Sequence, residues 1–244
     1  MVCRRPRRRA SACRRPQERL TGKPLSDQRS GFPVVLVKEV MPSSTSFVVI
    51  STVDVKEWIE KVPSVDRLRP DRCPCCGGAS RPVGQNLRVW GHGVRRRLFV
   101  GVFLLAMPAQ AVTIEVRRFL CRYPDCERTF TVLPRQACPH RRYLLSTIVL
   151  ALALWAVAKD RTTRIRQRLS PDELLDHHIP WSSWPQLLRW AEAGDLTVDG
   201  LEDDLDRHRR AERIALSYAG RSPPETRGRP LAQRAFIGAG GHIR

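Results

Sequence analysis

Two cysteine pairs, at 73–76 and 121–126, are the residues of this chain best suited to chemistry. Cys73-Pro74-Cys75-Cys76-Gly77 contains a C-x-x-C step closed by glycine, and Cys121-Arg122-Tyr123-Pro124-Asp125-Cys126 supplies a pair wider by two residues. A thiolate knuckle must turn its backbone around a shared centre. Gly77 and Gly78 permit the positive φ that lets peptide N–H groups approach sulfur. Four thiolates in a tetrahedron make a closed site, which is structural rather than catalytic. The spacing therefore predicts one Zn2+ ion held by Cys73, Cys76, Cys121 and Cys126. Two other chemistries use the same residue type. A redox C-x-x-C belongs in a thioredoxin-like βαβ setting, for which no pattern follows here; an iron–sulfur cluster also takes four thiolates. Cys75 reads as a bystander in the knuckle. Cys138 and His140 are alternate ligands or, more simply, packing and surface groups. Cys3 and Cys13 read as free thiols.

The 44 residues between the knuckles must bring the pairs together. They read as two strands, one running from 87–90 through 97–103 and the other over 112–120. In the second, Val112, Ile114 and Val116 alternate with Thr113, Glu115 and Arg117, the period of a half-buried strand. Its end delivers Cys121 beside the first knuckle. Two knuckles joined by a β-hairpin form the zinc-ribbon arrangement. With few apolar residues of its own, such a ribbon takes folding free energy from the metal, about 10–16 kcal/mol in small zinc domains, and loss of one thiolate should unfold it. The hairpin would present Arg88, His92, Arg95, Arg96 and Arg97, extended by Arg117 and Arg118. Guanidinium forks match phosphate oxygens and guanine edges. The plainer alternative is a basic edge that discourages strand pairing.

The chain has 244 residues, a formal charge of +19 and 42% hydrophobic residues, enough for at least one core. Such a charge attracts polyanions, with nucleic acid first and an anionic membrane surface second. Nine arginines and one lysine against two acids give residues 1–30 a charge of +8; they read as a disordered basic arm. Residues 31–69 read as a short αβ segment, with strands at 33–37 and 47–53. A helix follows from Asp54, in capping-box spacing with Glu57, and presents Trp58, Ile59 and Val62 on one face. Residues 70–140 are the ribbon, 141–218 a helical domain and 219–244 a loosely ordered tail. The apolar stretch 143–158 is shorter than the ~20 residues a membrane span needs and reads as a buried central helix. Ser170-Pro171-Asp172-Glu173 marks a helix start, and Ser183 and Gly194 bracket another helix. The acidic run from Asp195 to Asp206 reads as a charged helix face. No apolar signal segment precedes the cysteines, and a reducing bacterial cytoplasm is the expected compartment, with the chain at the nucleoid.

The order CPCCGG, WGHGVRRRLFV, VTIEVRRFLCRYPDCERTFTVLPR and CPHRRY resembles the zinc-ribbon front end of bacterial insertion-sequence transposases. It is most similar to small actinobacterial transposase-related proteins that lack the catalytic domain. Gly91-His92-Gly93 before Arg95–Arg97 resembles that family's G-x-x-x-R-R element, and residues 129–134 its T-F-x-x-L-P exit. Residues 184–190 resemble its recognition helix, weakly. The resemblance spans roughly residues 70–193 and implies an α+β chain: a zinc-ribbon hairpin, then an all-α helix-turn-helix-like region. It implies double-stranded DNA as partner, with a transposase or a second copy as further candidates. Arg164, Gln186 and Arg189 would join the contacts from the helical part, and Arg161, Arg166 and Arg168 could grip phosphates. About fifty residues follow Gly194, fewer than the family's RNase-H-like catalytic domain needs, so no transposition and no enzymatic activity is expected. A transcription regulator of similar build and a zinc-dependent protein–protein module are the other readings.

Overall fold

In this computed structural model, residues 47–170, 184–193, 196 and 205–242 are described. The basic arm, the strand at 33–37, the helix start at 171–173, Ser183, Gly194 and the acidic residues 195–204 lie outside them. The described residues are mixed α and β.

Four strands form one sheet: β1 (Phe47–Ile50), β2 (Val89–Gly101), β3 (Gln110–Cys121) and β4 (Thr129–Leu133), in the order β1-β4-β3-β2. The expected hairpin is the long antiparallel ladder of β2 and β3. It runs from Val89 opposite Cys121 to Gly101 opposite Gln110, with a bulge between Gly91 and Val94. β4 returns antiparallel beside β3, and β1 joins β4 in parallel, Phe47 opposite Phe130. Of the segment expected at 31–69, β1 thus joins the same sheet as the cysteine-bearing strands. β4 adds a strand beyond the expected hairpin, and its Thr129, Phe130, Thr131 and Val132 are all strand formers.

Pairing puts Val49, Val132, Phe130 and Phe119 on one face, where they are buried. The Phe119 and Phe130 rings stack with centroids 5.5 Å apart. They share an apolar cluster with Trp58 of α1 (Val55–Glu60) and Leu68 of α2 (Val65–Leu68). Trp58 Nε1 donates to Glu115 O at 2.7 Å, so its buried indole is satisfied. Asp54 caps α1 as expected, accepting from Lys56 N at 2.8 Å. Two expectations fail here. Ile59 is 41% exposed, because a six-residue helix reaches the core only through Val55 and Trp58. Glu57 holds Arg67 in an ion pair instead of closing a capping box.

The helical part centres on α3 (Leu145–Ala156), in which ten of twelve residues are buried. It is apolar all round because helices cover it: α4 (Thr162–Leu169), α5 (Pro185–Glu192), α6 (Arg207–Gly220) and α7 (Leu231–Gly238). Among the described residues no helix is long and apolar enough to cross a membrane. The loosely ordered tail is the largest correction. Residues 219–242 include a 3-10 turn and α7, whose Ala235 and Phe236 are fully buried in the α3 cluster. The reading failed because Pro, Gly and Arg dominate that stretch, and its few apolar residues matter only once α3 and α6 lie against them. The last described residues reach the β2–β3 connection and the cap of α1: Leu105 N donates to His242 O at 2.9 Å, and His242 Nε2 lies 2.8 Å from Asp54 Oδ2.

Phe236→Ala should lower unfolding free energy by about 3–5 kcal/mol in denaturant titration; a change near zero would restore the tail reading. Asp54→Ala should cost about 0.5–2 kcal/mol through the lost cap. Burial acts to raise the Asp54 pKa, but hydrogen bonds from Lys56 N and Gln136 and the contact with His242 together hold it below the usual value. Its contribution is thus complete at neutral pH and is lost as pH falls below about 4, through the depressed folded pKa. Asp54→Asn should flatten that acid limb of the stability curve.

Candidate metal centre

The first knuckle is a tight turn. Cys73 N donates to Gly78 O at 2.8 Å, Gly77 N to Cys73 O at 2.9 Å, and Cys75 N to Cys73 Sγ at 3.4 Å. Gly77 has φ of 74°, the left-handed region that glycine enters without a Cβ penalty. Gly78 lies against the Tyr123 ring, where a Cβ would collide. The second knuckle closes through Cys126 N to Tyr123 O at 2.9 Å and Cys121 N to Arg128 O at 3.0 Å. Tyr123 fastens one knuckle to the other, donating its hydroxyl to Ala79 O at 3.0 Å, with Arg88 stacked over its ring.

Cys121 ends β3 opposite Val89, which opens β2 just after the first knuckle. The hairpin thus closes the distance between the pairs. All four sulfurs lie within 4.8 Å of one another. Cys73 Sγ is 3.8 Å from Cys126 Sγ, and Cys76 Sγ is 3.7 Å from Cys121 Sγ. These separations are far too long for disulfides, at about 2.05 Å, and the cysteines are free thiols. A tetrahedron with metal–sulfur bonds of about 2.3 Å has edges of about 3.8 Å, so the two short separations fit the donor set of a zinc ion. Cys73, Cys76, Cys121 and Cys126 can hold a metal ion.

Cys75 is outside that foursome. Burial first, then the neighbouring Cys126, push its thiol up to about 12, with Arg128 opposing. Burial likewise raises Cys121, and hydrogen bonds to Cys73, Cys126 and Cys76 add to it against the Tyr123 backbone N–H. Packed thiols of this kind hold their protons until a cation replaces them. Cys138 is buried in the cluster around α3, and the His140 residue lines a cleft beside β2.

The sheet departs from the expectation of a ribbon without a core. Trp58, Phe99, Phe119, Phe130 and Leu133 are fully buried around β2–β4. Loss of the metal should accordingly loosen the knuckles while the sheet cluster and the helical part persist.

The arginines expected on one surface have different fates. Arg95, Arg96 and His92 are exposed on β2. Arg97 is half-buried, and its Nη2 donates to Cys138 O and Arg141 O, both at 2.9 Å. Arg117 Nε donates to Pro63 O at 3.2 Å, and Arg118 is half-buried. Arg88 packs on Tyr123. Arg97, Arg117 and Arg88 thus make structural contacts. In the helical part Arg164 lies 3.7 Å from Asp160. Arg166 is 3% exposed, inside the protein rather than on its surface. Gln186 and Arg189 are exposed on α5; Trp190, expected beside them, is buried with Leu187 and Ala191. Trp190 packs edge-on to Trp184 and Tyr143, which accounts for both tryptophans. Arg141 and Arg142, which join Arg95–Arg97 around the cleft, were missed; only the adjacency of CPHRRY to the ribbon hinted at them.

Comparison with protein-family models, with curated proteins and with solved structures gives no match.

Purified protein should carry about one zinc per chain by elemental analysis, falling sharply in Cys76→Ser and Cys126→Ser while Cys75→Ser keeps it. Because metal binding displaces thiol protons, acidification should release the ion. Retention of full metal by both ligand variants would remove this site. In those variants, hydrogen exchange should quicken at the two knuckles and remain slow in α3.

Proposed function

We propose that the protein binds double-stranded DNA, using a structural zinc ion at the four thiols to fix the basic surface of a ribbon hairpin. The observation that carries this reading is a juxtaposition. The sulfur cluster anchors one end of β2, and farther along that strand Arg95 and Arg96 are exposed without an ion pair among the described residues. A guanidinium left in water and held on a rigid strand gives a pre-positioned donor for phosphate oxygens. The formal charge of +19 supplies the long-range attraction that brings a polyanion to it.

Helix α5 supports a second contact. It buries Leu187, Trp190 and Ala191 and leaves Gln186 and Arg189 exposed one helical turn apart. Amide and guanidinium groups at that spacing suit base edges in a major groove, where direct sequence readout occurs. The arrangement agrees with a relation to the zinc-ribbon and helix-turn-helix region of insertion-sequence transposases, with binding as the role and no catalytic step assigned.

Duplex binding should weaken steeply with salt, because phosphate contacts release counterions. Four contacts would give a loss on the order of a hundredfold between about 50 and about 200 mM salt. Fluorescence anisotropy with a labelled duplex checks this. Gln186→Ala with Arg189→Ala should compress the affinity difference between sequences. A salt-independent interaction, or no interaction with DNA by the zinc-loaded chain, would favour the protein–protein module.

A further inference from the structure

Where β2 meets the turn at residues 140–142, the surface opens into a cleft of about 330 Å³. Arg95, Arg96 and Arg97 line it from the strand, and His140, Arg141 and Arg142 from the turn. Val116 and Thr131 extend it across the sheet, and no carboxylate is among its described lining residues. So much like charge in one concavity opposes folding unless an anion compensates it. Arg95, Arg96 and Arg142 have no ion pair among the described residues.

Hydrogen bonds to backbone carbonyls hold the two walls together. Arg97 spans the gap, donating to Cys138 O and Arg141 O and so fixing the turn against the strand. Val100 N donates to Arg142 O at 2.8 Å, and Leu144 N to Val100 O at 3.0 Å, which ties the following residues to the free edge of β2. His140 turns the chain with φ of 58°, a conformation in which histidine is enriched among non-glycine residues. Burial lowers the Arg97 pKa from its ordinary value; the neighbouring Cys138 opposes that and the adjacent Arg95 charge adds to it. The volume lies at the low end of small-ligand pockets, with room for a phosphodiester and its flanking sugars rather than a bare ion.

We infer that this cleft is a phosphate seat, with Arg95 and Arg142 as its principal ligands from opposite walls and Arg97 as the positioning residue that holds the turn. The inference rests on the DNA-binding reading for its source of phosphate, a strand of the duplex; a free polyphosphate offers the same chemistry.

The test pairs two charge-matched variants of the full chain: Arg95→Glu with Arg142→Glu in the cleft, and Arg213→Glu with Arg227→Glu at exposed positions away from it. Zinc content and thermal midpoint confirm that each variant folds. The probes are a labelled duplex, by anisotropy, and tripolyphosphate, by calorimetry. The cleft variant should lose at least tenfold in duplex affinity beyond the loss in the control, and tripolyphosphate should compete with the duplex on the wild-type protein. Equal losses in both variants would assign the effect to bulk charge and overturn the seat. Duplex affinity unchanged in the cleft variant would overturn the seat and leave the DNA reading standing. Tripolyphosphate bound through the cleft, with no duplex binding by wild type, would keep the seat and discard the DNA reading. Binding of neither probe would remove both.

Discussion

Four sulfurs drawn from two distant stretches of chain lie within 4.8 Å of one another, and much of the sheet is tied to that meeting. Short separations of 3.7 and 3.8 Å across the pairs fit a thiolate tetrahedron. Reaching them requires Val89 opposite Cys121, and that register carries the β2–β3 ladder out to Gly101 and Gln110. A one-residue slip would turn every side chain of a strand to the other face. It would bury the exposed Arg96 and expel Phe99. The knuckles and the apolar pattern therefore specify the same register by independent physics. Tyr123 and Gly78 tighten the agreement, since the phenol ring fills the space a side chain at Gly78 would need.

The arginines divide according to what surrounds their guanidinium groups. Where a backbone carbonyl lies near, the group becomes a structural donor: Arg97 to Cys138 and Arg141, Arg117 to Pro63, Arg69 to Val89. Each such bond gives a backbone carbonyl a donor that a water or another group would otherwise supply. Arg95, Arg96 and Arg142 are exposed and make no ion pair among the described residues. Neighbouring arginines thus have different surroundings, and a count of basic residues overstates how many guanidinium groups stay exposed.

The helical part is organised around an element that could not stand alone. α3 is apolar on all sides, so it needs cover from α4, α5, α6 and α7. Recruitment of α7 places the end of the described chain in the core, and it brings His242 to Asp54 at the start of α1. Gln136 connects the same pieces, accepting from Val55 N and donating to Gly240 O. These pieces are joined by buried and partly buried polar bonds as well as by apolar contact. Such bonds are directional, which apolar contact is not.

Much of the site was legible in the chain itself. The C-x-x-C and C-x4-C spacings, the glycines after the first pair and the alternation in residues 112–117 are local patterns with local causes, and they named the cysteine foursome, the hairpin, the α1 cap and the buried α3. Tertiary structure decided the rest, because it depends on which surfaces meet. β4 became a strand by lying between β3 and β1. Phe236 became core because α3 needed covering, and a short helix left Ile59 outside. Arg97 and Arg117 were drawn to carbonyls more than forty residues away, while Arg141 and Arg142 were carried to the basic edge of β2. Residue type and period disclose which groups can bond; only the folded chain determines which of them are already satisfied.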